Sequence, residues 1–195
     1  MRHRAGVFIG ILVVALAGAW LLFVGLPRWY GSKPVAAPAA VAPAAAAEPA
    51  PARKITATLY YVAADGLSLV GAQREVAYGA RVPEQARAIV EAEIRPAPPL
   101  LSAIPAGTTL RNVFVTDRGD AFVDLSSEVR TKHSGGSLDE LLTVYAIVDA
   151  LTVNLPAIAR VQILIDGKEV ETLAGHVDLR HPLVKNLEWI VHDTH

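Results

Sequence analysis

An α+β domain, a two-layer sandwich with a mixed, mostly antiparallel sheet and two helices on one face, preceded by one transmembrane helix, is what this sequence predicts. Three observations carry that reading. An uncharged run spans residues 6–26, an Ala- and Pro-rich stretch follows at 31–52, and beyond residue 53 segments of period 2 and period 3.6 alternate. The 195 residues are 52% hydrophobic with only 6% aromatics, and the mean hydropathy of +0.36 is accounted for largely by that first run.

The 21 residues from Gly6 to Leu26 contain no charge, and at 1.5 Å per helical residue they reach about 31 Å, the thickness of a hydrocarbon core. Arg2, His3 and Arg4 precede the run and predict a cytoplasmic N-terminus; Trp29 and Tyr30 stand where amphipathic aromatics settle at a membrane interface. Ala17-Gly18-Ala19 has the small-x-small form of a signal-peptidase site, so a cleaved leader is the competing reading. Either way the rest of the chain is exported. Residues 31–52 hold 11 Ala and 5 Pro, too little apolar bulk for a core, and read as an extended tether.

In the exported part, 53–195, 14 basic residues face 18 acidic ones. With no basic excess, nucleic acid is not an expected partner. The absence of cysteine excludes thiol catalysis, Cys-ligated zinc, iron-sulfur clusters, disulfides and a lipidated N-terminal Cys.

Ile55, Ala57, Leu59 and Tyr61 alternate with polar or half-polar residues as a strand does, and Asp65-Gly66 turns the chain into a second strand running to Val76. Pro83 and Glu84 suit a first helical turn, with Ala86, Ile89, Val90 and Ile94 at helical spacing until Pro96, Pro98 and Pro99 stop the helix. Leu110–Thr116 and Ala121–Ser126 flank Asp117-Arg118-Gly119-Asp120 as a second hairpin. Ser137-Leu138-Asp139-Glu140 has the form of a capping box, in which Ser137 accepts the Glu140 N–H and Glu140 reaches back. The helix so begun carries Leu141, Val144, Tyr145, Val148, Leu151 and Leu155 on one stripe, with Leu142, Ile147 and Val153 off it, as expected of a helix buried on more than one side. Val161–Ile165 then turns at Asp166-Gly167 into Lys168–Leu173. A terminal stretch from Leu183 to Val191, with Trp189 and Ile190, is expected to pack on the sheet rather than project toward a partner or membrane.

Chemistry is sparse. His133, His176, His181, His192 and His195 lack metal-ligand spacing, so no metal, cofactor-binding or catalytic residue is assigned. Ser134-Gly135-Gly136-Ser137 matches neither G-x-S-x-G nor S-x-x-K. Asp117, Asp120, Asp124 and Glu128 lie close together, and paired acids hydrolyse glycosides, but Asp117 and Asp120 bracket a turn in which Asp is expected for local bonding.

Leu59-Tyr60-Tyr61-Val62, Gly119-Asp120-Ala121-Phe122-Val123-Asp124-Leu125-Ser126, Gly135-Gly136-Ser137 with Glu140, Ala150-Leu151-Thr152 and Val161-Gln162-Ile163-Leu164-Ile165-Asp166-Gly167 together resemble the GerMN domain of sporulation and spore-germination proteins. The likeness runs from about Lys54 to Leu183, within a domain drawn at 53–184 and followed by a tail at 185–195. It implies an exported, membrane-tethered module similar to the ring-building modules of sporulation channel proteins, acting in envelope or spore assembly without catalytic residues. The expected partners are an envelope protein or a second copy, with peptidoglycan as the alternative, bound or weakly hydrolysed through the Asp117–Glu128 carboxylates. The chain departs from the germination lipoprotein of that family in having one copy of the domain and a membrane helix in place of a lipidated Cys.

Overall fold

The computed structural model describes Trp20 and residues 53–191. The Gly6–Leu26 span, the 31–52 tether, His192 and His195 lie outside the described residues, Trp20 excepted; among those described, no helix is long and apolar enough to cross a membrane.

The domain opens with β1 (Lys54–Val62) and β2 (Leu69–Ala77), an antiparallel hairpin in register from Lys54↔Ala77 to Val62↔Leu69. Its turn is closed by Asp65, whose carboxylate accepts the Leu67 N–H at 2.8 Å. Helix α1 (Val82–Ile94) starts with Pro in its first turn and with Glu84 folded back on the Arg81 backbone. It ends at Arg95, just before Pro96. The second hairpin joins β3 (Leu110–Val115) to β4 (Asp120–Leu125), with a bulge between Leu110 and Asn112. Its turn requires Gly119, since φ is +82° and a Cβ would sit 2.7 Å from the Ala157 carbonyl oxygen. A single turn, α2 (Glu128–Thr131), leads to the long helix α3 (Ser137–Asn154). The chain then enters β5 (Arg160–Ile165), parallel to β4, and turns at Asp166-Gly167, both with positive φ, into β6 (Lys168–Glu169). The end of the domain is β7 (Leu183–Val184), a 3-10 turn (Leu187–Trp189) and β8 (Ile190–Val191).

These strands make two sheets, not the single sheet expected. One has the order β1-β2-β8; the other runs β3-β4-β5-β6, with β7 also on β5. The helices do not share one face of a common sheet either. Helix α1 packs on β1, β2 and β3, and α3 on β1, β5 and β7, so both helices touch both sheets and one hydrophobic core results.

The split goes with edges that are already occupied, by polar side chains and by one loop carbonyl. On β1 the Thr58 N–H donates to Asn154 Oδ1 at 2.9 Å, and Asn154 Nδ2 donates to the Thr58 carbonyl at 2.7 Å. The Tyr60 N–H is held by both carboxyl oxygens of Glu93 at 3.1 Å, and the Val62 N–H by the Leu101 carbonyl at 2.8 Å. On β3 the Val113 N–H is taken by Asn112 Oδ1 at 2.9 Å, and that oxygen in turn accepts from Arg87 at 2.7 Å. Two edges that would otherwise template further strands are thereby closed.

Helix α3 is buried on several sides, with Leu142, Val144, Ile147, Val148 and Leu151 all inaccessible, as its off-stripe apolar residues predict. Two expectations fail. The strand Lys168–Leu173 stops at Glu169, and Leu173 instead enters the core. The capping box at Ser137 is absent: Gly136, at φ +90°, is the cap residue, no side chain caps the helix, and Glu140 points elsewhere.

Candidate functional site

Glu140 is completely buried in the first turn of α3. Its Oε1 accepts the Leu173 N–H at 2.7 Å; its Oε2 accepts the His176 N–H at 2.8 Å and lies 3.1 Å from His176 Nδ1. Burial pushes its pKa up, but backbone N–H groups of Ala174, His176, Leu173 and Val177 together outweigh it and hold the carboxyl below its ordinary value. The carboxylate is the hub on which the 173–177 loop is wound. A helix-start pattern in the sequence conceals this role.

His133 is similarly committed. The Gly135 N–H donates to His133 Nδ1 at 3.0 Å, which leaves Nε2 to donate to Thr143 Oγ1 at 3.3 Å, and the Thr143 hydroxyl donates to the Ala103 carbonyl at 2.6 Å. His181 is exposed, and among the described residues no group of three or more His, Asp or Glu is placed to hold a metal ion.

The four carboxylates between 117 and 128 go to separate tasks. Asp117 is exposed on the turn. Asp120 accepts from Arg160 Nε at 2.7 Å, tying β4 to β5. Asp124 accepts the Gly167 N–H at 2.7 Å and Arg111 Nε at 3.3 Å, fixing the β5-β6 turn. Glu128 is partly exposed, its pKa lowered first by the Ser126 hydroxyl. Of the carboxylates weighed for glycoside chemistry, Asp120 and Asp124 are thus engaged in strand and turn contacts.

Two buried carboxyls were not singled out in the sequence. Glu93 holds the Tyr60 N–H in a site whose burial raises its pKa well above the ordinary value. Asp149, on α3, is pushed from 3.8 to about 6 by burial, against the Asn186 N–H and the charge of Lys185. Its Oδ1 accepts that N–H at 2.9 Å while Oδ2 is buried without a partner. Burial, then Asp149 and Glu93, raise the Tyr60 phenol to about 12. A signal was available: Glu93 follows Ala86, Ile89 and Val90 at helical spacing, on the buried face of α1.

A concave feature of the domain is a groove of about 880 Å3 between the end of α1, the 95–109 loop and the α2-α3 connection. Its walls are mostly apolar, including Ile94, Leu100, Ile104 and Leu142, and Leu101 stands 66% exposed in it. Arg95 and Lys132 line it and form no ion pair among the described residues. The Lys132 ammonium lies 2.7 Å from where a Cβ on Gly107 would be, laid directly over the loop. Nothing in the sequence singled this groove out, because it is built by a loop without periodic pattern.

No curated protein matches the chain. Among solved structures, the domain is similar to the first GerMN domain of the sporulation protein GerM from Bacillus subtilis, with 20% identity over 69% of this chain and 99% of that one and a TM-score of 0.51. The tandem GerMN domains of the same protein match with 21% identity over 69% of this chain and a TM-score of 0.50; the chain spans 46% of the tandem's length. These likenesses concern the fold. The family model Germane, described as sporulation and spore germination, matches residues 58–171, more than half of the sequence, from the middle of β1 to just past β6. The chain belongs to this GerMN-domain family.

Proposed function

We propose that the chain is a single-pass membrane protein, N-terminus inside, whose GerMN domain is held outside the cytoplasmic membrane by the Gly6–Leu26 span and the 31–52 tether. There it serves envelope assembly, in a sporulating or germinating cell, by recognising an envelope protein or a second copy rather than by catalysis. The observation that carries the reading is the use made of the polar residues: Glu140, Asp124, Asp120 and His133 are committed to internal hydrogen bonds, which leaves surface recognition as the chemistry on offer. Membership in a family described by sporulation and germination supports it.

Crosslinking of the full-length protein in living cells, with identification of what is attached, tests this. A reproducible envelope protein or a ladder of self-crosslinks is the expected result. Wall fragments alone, retained by wild type and lost on Asp124→Asn with Glu128→Gln, would replace it with the glycan-binding alternative.

A further inference from the structure

We propose that the groove between α1, the 95–109 loop and the α2-α3 connection binds a monomeric anionic amphiphile, a single aliphatic chain ending in one acidic head group. The inference is independent of which protein the domain recognises.

Size and lining set the body of the ligand. About 880 Å3 falls within the range of small-molecule sites, and an apolar wall with a few polar groups is their usual composition. Leu101, 66% exposed, has most of its side chain still to bury, and apolar area removed from water is the general source of such affinity. The wall is fixed before any ligand arrives. Leu101 is pinned through its carbonyl to the Val62 N–H at 2.8 Å, and Ala103 is pinned through the Thr143 hydroxyl and His133.

The same pinning argues for an alkyl chain over a peptide. A peptide would bring amide groups needing partners. The backbone groups that a β1-edge contact would use are already spent, Val62 on Leu101 and Tyr60 on Glu93. An alkyl chain brings no such debt.

Charge selects the head group. The two carboxylates that line the groove have donors, Glu91 from Arg87 at 3.5 Å and Asp139 from the Ser134 hydroxyl at 2.7 Å. The two cations, Arg95 and Lys132, form no ion pair within 4 Å among the described residues; the acid whose charge Lys132 feels, Glu128, does not reach it closely enough to pair. Lys132, lying across Gly107 with no side chain beneath it, is the one placed to meet an acid at the groove wall.

The test uses the full chain in phosphatidylcholine nanodiscs with a diazirine analogue of dodecanoate as the probe, photocrosslinked and mapped by mass spectrometry. Labelled peptides are expected within 94–109 and 132–143. Excess dodecanoate should remove the label, whereas dodecanol, of equal chain length and no charge, should compete about tenfold less well. Lys132→Gln and Leu101→Asp, both at exposed positions, should each cut labelling by about fivefold or more without moving the melting temperature. Label outside those peptides, equal competition by dodecanol, or labelling untouched by both variants would overturn the proposal. So would labelling that appears only when the nanodisc carries anionic phosphatidylglycerol, since the ligand would then be a membrane surface. None of these outcomes depends on the partner found by crosslinking in cells.

Discussion

Glu140 shows how one residue can satisfy a local pattern and serve a distant one. Its position three residues after Ser137 fits a capping box, yet its carboxylate binds a loop 33 and 36 residues away. Glu140→Ala should therefore cost about 3 kcal/mol in urea unfolding, because buried N–H groups of the 173–177 loop lose a charged acceptor. Ser137→Ala, which removes no cap bond, should change stability by less than about 0.5 kcal/mol. Asp149 governs the pH response. Folding raises its pKa from 3.8 to about 6, so the folded state favours the protonated form; the stability it allows is full below pH 3.8 and is lost as pH climbs through about 6, by about 3 kcal/mol in all. Glu93 acts in the same direction. Glu140, with its pKa lowered, acts oppositely, but its contribution is lost only as pH falls below about 4.5. The protein should therefore melt at a higher temperature at pH 5 than at pH 7.5, and Asp149→Asn, which keeps the acceptor for Asn186, should shrink that difference in scanning calorimetry.

At the level of elements, the hairpins and helices were legible because their signals are local: alternation, Asp-Gly and Pro punctuation, and helical spacing. The division into two sheets was not legible, since it rests on Asn154 reaching Thr58, Glu93 reaching Tyr60 and Arg87 reaching Asn112, contacts that span 96, 33 and 25 positions. Period-2 patterning says which face of a strand is covered but nothing about what meets its edge. Asn154 accepts and donates much as a neighbouring strand would. Replacing it by Ala should cost about 2 kcal/mol and open part of the β1 edge; sedimentation velocity should then detect concentration-dependent association absent from the wild type.

For the molecule as a whole, the segment 183–191 is the piece that spans both sheets. It pairs with Arg160 and Val161 of β5 through β7, gives its Asn186 N–H to Asp149, and pairs with Leu69 and Val70 of β2 through β8. Its packing on the sheets agrees with the sequence expectation, but the pairing itself was not legible, because two-residue strands leave no periodicity to find. Ending the chain at Pro182 should expose one edge in each sheet, and hydrogen exchange should rise at residues 69–70 and 160–161 together while the nine-residue β1-β2 register, formed without this segment, stays protected. The arrangement also has a mechanical consequence. Tension applied through the residues that follow Val191 falls first on β8, two residues long, then on the Asn186 bond, then on β7, again two residues long. These are loaded one after another rather than side by side. A pull on that end would break these short pairings, with the Leu183, Trp189 and Ile190 side chains that pack on the core, before it reached the nine-residue β1-β2 register.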